Sequence, residues 1–210
     1  MKYTDPSYFF DYDHPAIQRI TSAYQHLETE QEIIHNLYVE VRDGWRYSPF
    51  EIGLTKEHFK ASTIAQKRQG HCIDKAILLV ACLRAFDIPA RLHLAKVSNH
   101  IATERLEKVI GTNELAPHGL VDVYHNGKWV KCSPAFNKEL CAMYRVDVLD
   151  FDGTADSVMQ EYNRDQEQFM SYLEDYGHFE DVPLDFIMET FKKNYPEFYE
   201  QFKDRDQISI

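Results

Sequence analysis

Residues 72–86, CIDKAILLVACLRAF, constrain the fold more than any other stretch of the chain. Drawn as a helix they are apolar on most sides, with Asp74 in the first turn and Arg84 near the end, where each charge suits the helix dipole. A helix this apolar cannot keep one face in water, so it belongs at the centre of a core. With 210 residues the chain supplies one substantial core and is too short for two full-sized domains.

The flanking segments supply layers for that helix. Residues 14–41 repeat apolar positions at three and four and predict one long or two short helices. Residues 42–54 read as an ordered loop, and 56–69 as a weak helix stopped by Gly70. IPARLHLAKV, 88–97, alternates and predicts a strand. Asn126-Gly127 between two alternating runs predicts a hairpin over 118–134, with His125 opposite Lys128, Asp122 opposite Lys131, Leu120 opposite Ser133 and His118 opposite Ala135. In that register Asp122 and Lys131 read as a solvated cross-strand pair, and His125 as a surface residue. The polar segment 98–117, with IATERLEKVI as a short helix, is long for a passive turn and is expected to border a cleft. Residues 156–175 and 184–203 read as helices.

Charge separates the chain into two parts. Residues 1–141 carry 17 acidic and 17 basic side chains, whereas 142–210 carry 17 acidic and 6 basic, so the whole net charge of −11 resides in the last third. No Lys/Arg run exceeds two, which argues against a nucleic-acid binder. Membrane association is not expected either: there is no apolar run of spanning length, and the start MKYTDPSYFFDYDHP lacks the pattern of a secretory leader, so a cytoplasmic location is expected. Cys72, Cys82, Cys132 and Cys141 form no CxxC pair and read mostly as buried thiols. His71, Cys72, His118 and Cys132 lack zinc-site spacing, and Asp147, Asp150, Asp152 and Asp156 do not match a calcium loop. No cofactor or metal is expected.

Cys72 stands at the start of the central helix, where unpaired backbone N–H groups and the helix dipole favour thiolate. By itself such a cysteine reads as core filler, as Cys82 does. His118, on a strand that follows the long connection, makes it a candidate nucleophile with a candidate base. Ser133 is the diagonal neighbour of His118 in the expected hairpin.

The run GHCIDKAILLVACLRAFDIPAR, followed by HGLVDVYHNGKWVKCSP, resembles the core of the transglutaminase-like cysteine enzymes, a branch of the papain-like superfamily, over roughly residues 45–137. The resemblance implies an α+β fold with the central helix packed on an antiparallel sheet and helical additions at both ends. The organisation expected is a single domain, with an N-terminal helical segment 14–44, a catalytic core 45–137 and an acidic helical extension 142–210.

Carried onto this sequence, the resemblance makes Cys72 the nucleophile and His118 the general base, and matches Pro89, Ala90, Arg91 and Trp129 to family positions. The family's aspartate four residues after the tryptophan is Ser133 here, a hydroxyl without the charge that stabilises an imidazolium. Asn137 is the alternative orienter of the histidine and Asp122 a third. Gln66 and the Cys72 amide are the candidate oxyanion donors. His71, Trp45 and Tyr47 are candidates for the cleft wall.

The expected chemistry is thiol-dependent acyl transfer on a peptide, a protein side-chain amide or a small amide, with hydrolysis favoured over transamidation. The alternative is a catalytically inactive module of the same fold. In either case the acidic C-terminal third offers a surface to a protein partner.

Overall fold

The computed structural model describes residues 3–100, 104–202 and 205–209. Two helices open the fold, α1 (Pro15–Thr21) and α2 (Glu30–Gly44). Thr29 and Glu32 form a reciprocal capping box that starts α2, so the 14–41 pattern resolves into two helices. Three two- or three-residue strands lie on the way to the core, β1 (Arg46–Tyr47), β2 (Glu51–Gly53) and β3 (Gln69–Gly70), with α3 (Ala61–Ala65) between the last two. β1 and β3 pair in parallel.

The central helix is α4 (Cys72–Arg84), and every one of its residues is buried, Asp74, Lys75 and Arg84 included. It packs against α2 and α3 and against the strands β4 (Ala90–Asn99) and β5 (Glu114–His125). Helix α5 (Glu104–Ile110) lies between those strands in sequence, and residues 101–103 of the same connection lie outside the described residues. β6 (Lys128–Cys132) closes the hairpin, α6 (Lys138–Tyr144) follows, and β7 (Met170–Phe179) completes an antiparallel sheet of order β6-β5-β4-β7. Helices α7 (Leu184–Asn194) and α8 (Pro196–Phe202) come last, with β8 (Gln207–Ser209) returning to pair with β2. The result is an α+β fold in which helices flank a curled antiparallel sheet.

Buried polar groups tie these layers together. Arg84 donates to the carbonyls of Ala90, Asp5 and Glu180, joining the end of α4 to β4, the N-terminal segment and the end of β7. Lys75 Nζ donates to the carbonyls of Arg42, Trp45 and Ala135 at 2.7, 2.8 and 2.7 Å. Two of those acceptors lie at the C-terminal end of α2, where carbonyls have no partner inside the helix. A buried ammonium thus caps α2 and anchors the first turn of α4.

Four expectations need correction. The stretch 156–175 is not a helix: it runs irregularly to 169 and then enters β7, which pairs with β4 through two bulges. The extension 142–210 is therefore only partly helical. Phe169, Tyr172 and Tyr176 mimic a helical period, but the open edge of β4 is satisfied only by a strand. Secondly, the β5–β6 ladder follows the expected register from His125–Lys128 to Val121–Cys132 and stops there. Ser133 N turns to Ser157 O, and Pro134 has no N–H to continue, so the pairs Leu120–Ser133 and His118–Ala135 do not form. Thirdly, Asp122 and Lys131 are register partners but not a solvated pair. Asp122 is buried and accepts from Arg91 Nε at 2.9 Å, while Lys131 reaches Asp175 at 3.2 Å. Finally, His125 is buried and holds Glu30 Oε1 at 2.5 Å.

Candidate active site

His71 ends the approach to α4 with extended backbone, and its Nδ1 accepts the N–H groups of Ile73 and Asp74. Two backbone donors on Nδ1 leave the proton of a neutral ring on Nε2. Burial pushes the His71 ring below its ordinary value, with Asp74 acting the other way. Cys72 follows as the first helical residue, 7% exposed.

The strand that meets this helix start is β5. At Gly119 a Cβ would stand 2.7 Å from the Ile73 Cα and 3.0 Å from the Cys72 carbonyl carbon, so the backbones approach as only glycine permits. The Gly119 amide, with those of Ile73 and of Cys72 itself, favours a charged sulfur at this point. Burial nevertheless pushes the thiol up to about 11, and the three amides only moderate the rise. At the helix start the dipole and amides favour thiolate, but removal from water outweighs them, so the thiol rests protonated at neutral pH.

His118 precedes Gly119 on the same strand and is 2% exposed. Burial, with His71 adding to it, pushes its ring down to about 4, leaving a neutral base. Its Nδ1 has no hydrogen-bond partner among the described residues.

None of the three expected orienters reaches that nitrogen. Asn137 is buried, but its Oδ1 accepts from Tyr47 N at 3.0 Å and its Nδ2 donates to Glu139 at 2.7 Å. Ser133 is buried too, with its N–H on Ser157 O and its carbonyl accepting the Tyr38 hydroxyl at 2.9 Å. Asp122 belongs to a different cluster. His93 lies with Nδ1 3.1 Å from Asp122 and Nε2 2.8 Å from Asp175, and Arg91 stacks over Trp129 at 3.9 Å while bonding Asp122. Burial raises the Asp122 carboxyl, but His93 and Arg91 prevail and hold it below the usual carboxylate range. Gln66 donates to Ser62 O at 3.0 Å at the end of α3 and does not line the cavity beside Cys72.

That cavity, about 90 Å³, is walled by His71, Cys72 and Tyr47 on one side and by Ile187, Phe191 and Tyr195 on the other. The connection 98–117 contributes Ile110, Leu115, Ala116 and Pro117. Trp45 is buried elsewhere, its indole N–H on Ile64 O. Tyr195 closes the wall by accepting Ala116 N–H at 2.6 Å and donating to Glu114 O at 2.8 Å.

Gly119, Lys75 and Tyr195 were not singled out by sequence reasoning. Gly119 carried a signal, a glycine inside an alternating strand beside a candidate histidine. Lys75 and Tyr195 carried none, because their partners are backbone atoms distant in the chain.

No helix among the described residues is long and apolar enough to cross a membrane. No curated protein matches the chain significantly. A solved structure from Cytophaga hutchinsonii, named as a candidate cysteine protease, aligns at 20% identity with a TM-score of 0.43. The alignment covers 63% of this chain and 40% of that one. The family model described as "Transglutaminase-like superfamily" matches residues 17–134, more than half of the sequence and including both Cys72 and His118. This chain belongs to the transglutaminase-like superfamily.

Proposed function

We propose that the protein catalyses thiol-dependent acyl transfer on amides, with water as the final acceptor. One observation carries the reading: a cysteine at the start of a buried helix lines a cavity, and the strand that bears His118 crosses that helix start at the next residue, Gly119. His118 takes the thiol proton as the sulfur–carbon bond forms at the carbonyl, then returns it to the amine as the carbon–nitrogen bond breaks. Water next attacks the thioester, releasing carboxylic acid and restoring the thiol. The amide of Cys72 at the helix start, with that of Gly119 on the strand packed against it, serves as the donor set for the developing oxyanion. Hydrolysis is preferred to transamidation because water needs no second binding site.

A second reading, a catalytically inactive binding module, is favoured by the unpartnered His118 Nδ1 and by the protonated resting thiol. Intact-mass kinetics with iodoacetamide at pH 7.5 separate the two. Cys82 and Cys132 are fully buried and serve as internal controls. The enzyme reading expects Cys72 to react first and to slow at least about tenfold in His118→Ala, with the control cysteines unchanged. Equal slow reaction of all thiols, or indifference of Cys72 to His118→Ala, overturns it in favour of the inactive module.

A further inference from the structure

The cavity beside Cys72 differs in character from a site built to grip a polar amide side chain. Its walls are almost wholly hydrocarbon, from Ile52, Leu54, Phe59, Ile187 and Phe191. Of the polar groups nearby, the Tyr195 hydroxyl is held by the backbone of β5 and His71 Nδ1 by two backbone amides, while His71 Nε2, 3.5 Å from Asp74, has no hydrogen-bond partner among the described residues. Among the described residues no Lys, Arg, Asp or Glu lines it. A charged group placed there would lose its hydration and meet no charged partner in the described lining, a cost of several kcal/mol or more. An apolar group would gain roughly 0.8 kcal/mol for each methylene buried.

Size narrows the occupant further. A cavity of about 150 Å³ holds benzene, so about 90 Å³ accommodates on the order of four non-hydrogen atoms, the size of a valine or leucine side chain. Resting on the reading of Cys72 as nucleophile, we infer that the cavity is the acyl pocket of the reaction and selects a short, uncharged aliphatic acyl group. The carbonyl carbon of such a group would sit at the sulfur with its chain directed between α7 and β5. The thiol adds to that carbon, the leaving group departs with the proton taken from sulfur, and the short acyl chain remains as a thioester until water releases it.

The test uses p-nitrophenyl esters with the full-length protein, following nitrophenolate release and the acyl adduct on Cys72 by mass. The acyl groups are acetyl, isovaleryl, decanoyl and hemisuccinyl, each rate normalised to that of N-acetylcysteine. Isovaleryl is expected to acylate Cys72 at least about tenfold faster than decanoyl or hemisuccinyl. Ile187→Ala, which enlarges the wall facing the thiol, is expected to move the optimum toward longer chains. Acylation of Cys72 without preference, or an optimum unmoved in a folded Ile187→Ala protein, overturns the acyl-pocket inference and leaves the nucleophile standing. Failure of every ester to acylate Cys72 overturns both.

Discussion

Gly119 of β5 lies so close to Ile73 of α4 that a Cβ at position 119 would stand 2.7 Å from the Ile73 Cα and 2.9 Å from its nitrogen. Both obstacles are backbone atoms at the first turn of the central helix, which cannot swing aside as a side chain would. The same approach puts the Gly119 amide among the groups that favour thiolate at Cys72. Packing and site geometry therefore depend on one missing methyl group.

Gly119→Ala should destabilise the protein by about 2 kcal/mol, the usual cost of forcing an extra carbon into a filled interior. Urea denaturation checks this, with alkylation at Cys72 as a second readout because the strand must move away from the start of α4. A variant within about 0.5 kcal/mol of the parent would show that the backbones separate easily.

Lys75→Met should cost roughly 3 kcal/mol, because three buried carbonyls lose their donor and the slightly shorter thioether has no N–H to replace it. The loss should appear as a lower urea midpoint with an unchanged slope. If the midpoint stays put, the carbonyls have found other donors and the lysine is not the tie between α2 and α4.

His118 sets part of the acid limb of stability. Its ring is held down to about 4 in the fold against about 6.5 in the unfolded chain, so between those values the unfolded state binds more protons. Stability from this group is present above about pH 6.5 and falls as the pH drops toward 4, by roughly 3 kcal/mol in total. His118→Phe should flatten that part of a stability-against-pH curve. Parallel curves for the parent and a folded variant would disprove it.

Asp122→Asn should cost about 2 kcal/mol at pH 7, since Arg91 and His93 lose their shared carboxylate. The sign with pH is opposite to that of a raised group. A carboxyl held below its unfolded value of about 3.9 contributes fully above that value and less as the pH falls through the folded one. The gap between parent and variant should therefore narrow below about pH 4, measurable by chemical denaturation followed through Trp129 fluorescence.

Much of this architecture was legible in residue order. The 72–86 segment announced a buried helix because apolar side chains occupied all its faces, and Asn126-Gly127 announced the hairpin because few dipeptides accept two positive φ angles in succession. The Cys72 and His118 positions followed from the same local signals together with the family resemblance. The β7 strand was not legible. Its aromatic spacing suits a helix, and only the vacant edge of β4, contributed from about 80 residues earlier, makes the extended form preferable.

Sequence alone thus determined the central helix, the hairpin register as far as Cys132, and the presence of a cysteine at a helix start. These depend on interactions between residues near one another in the chain, where pattern and turn chemistry decide the outcome. The tertiary structure decided how that cysteine behaves. Burial beside an apolar cavity raises a thiol that its helix position would lower, and backbone partners claim the side chain of Asn137, which the family resemblance had offered to His118, and the backbone of Ser133, which the hairpin register had offered. Desolvation and hydrogen-bond competition depend on everything surrounding a group, and those surroundings come from parts of the chain that meet only once it has folded.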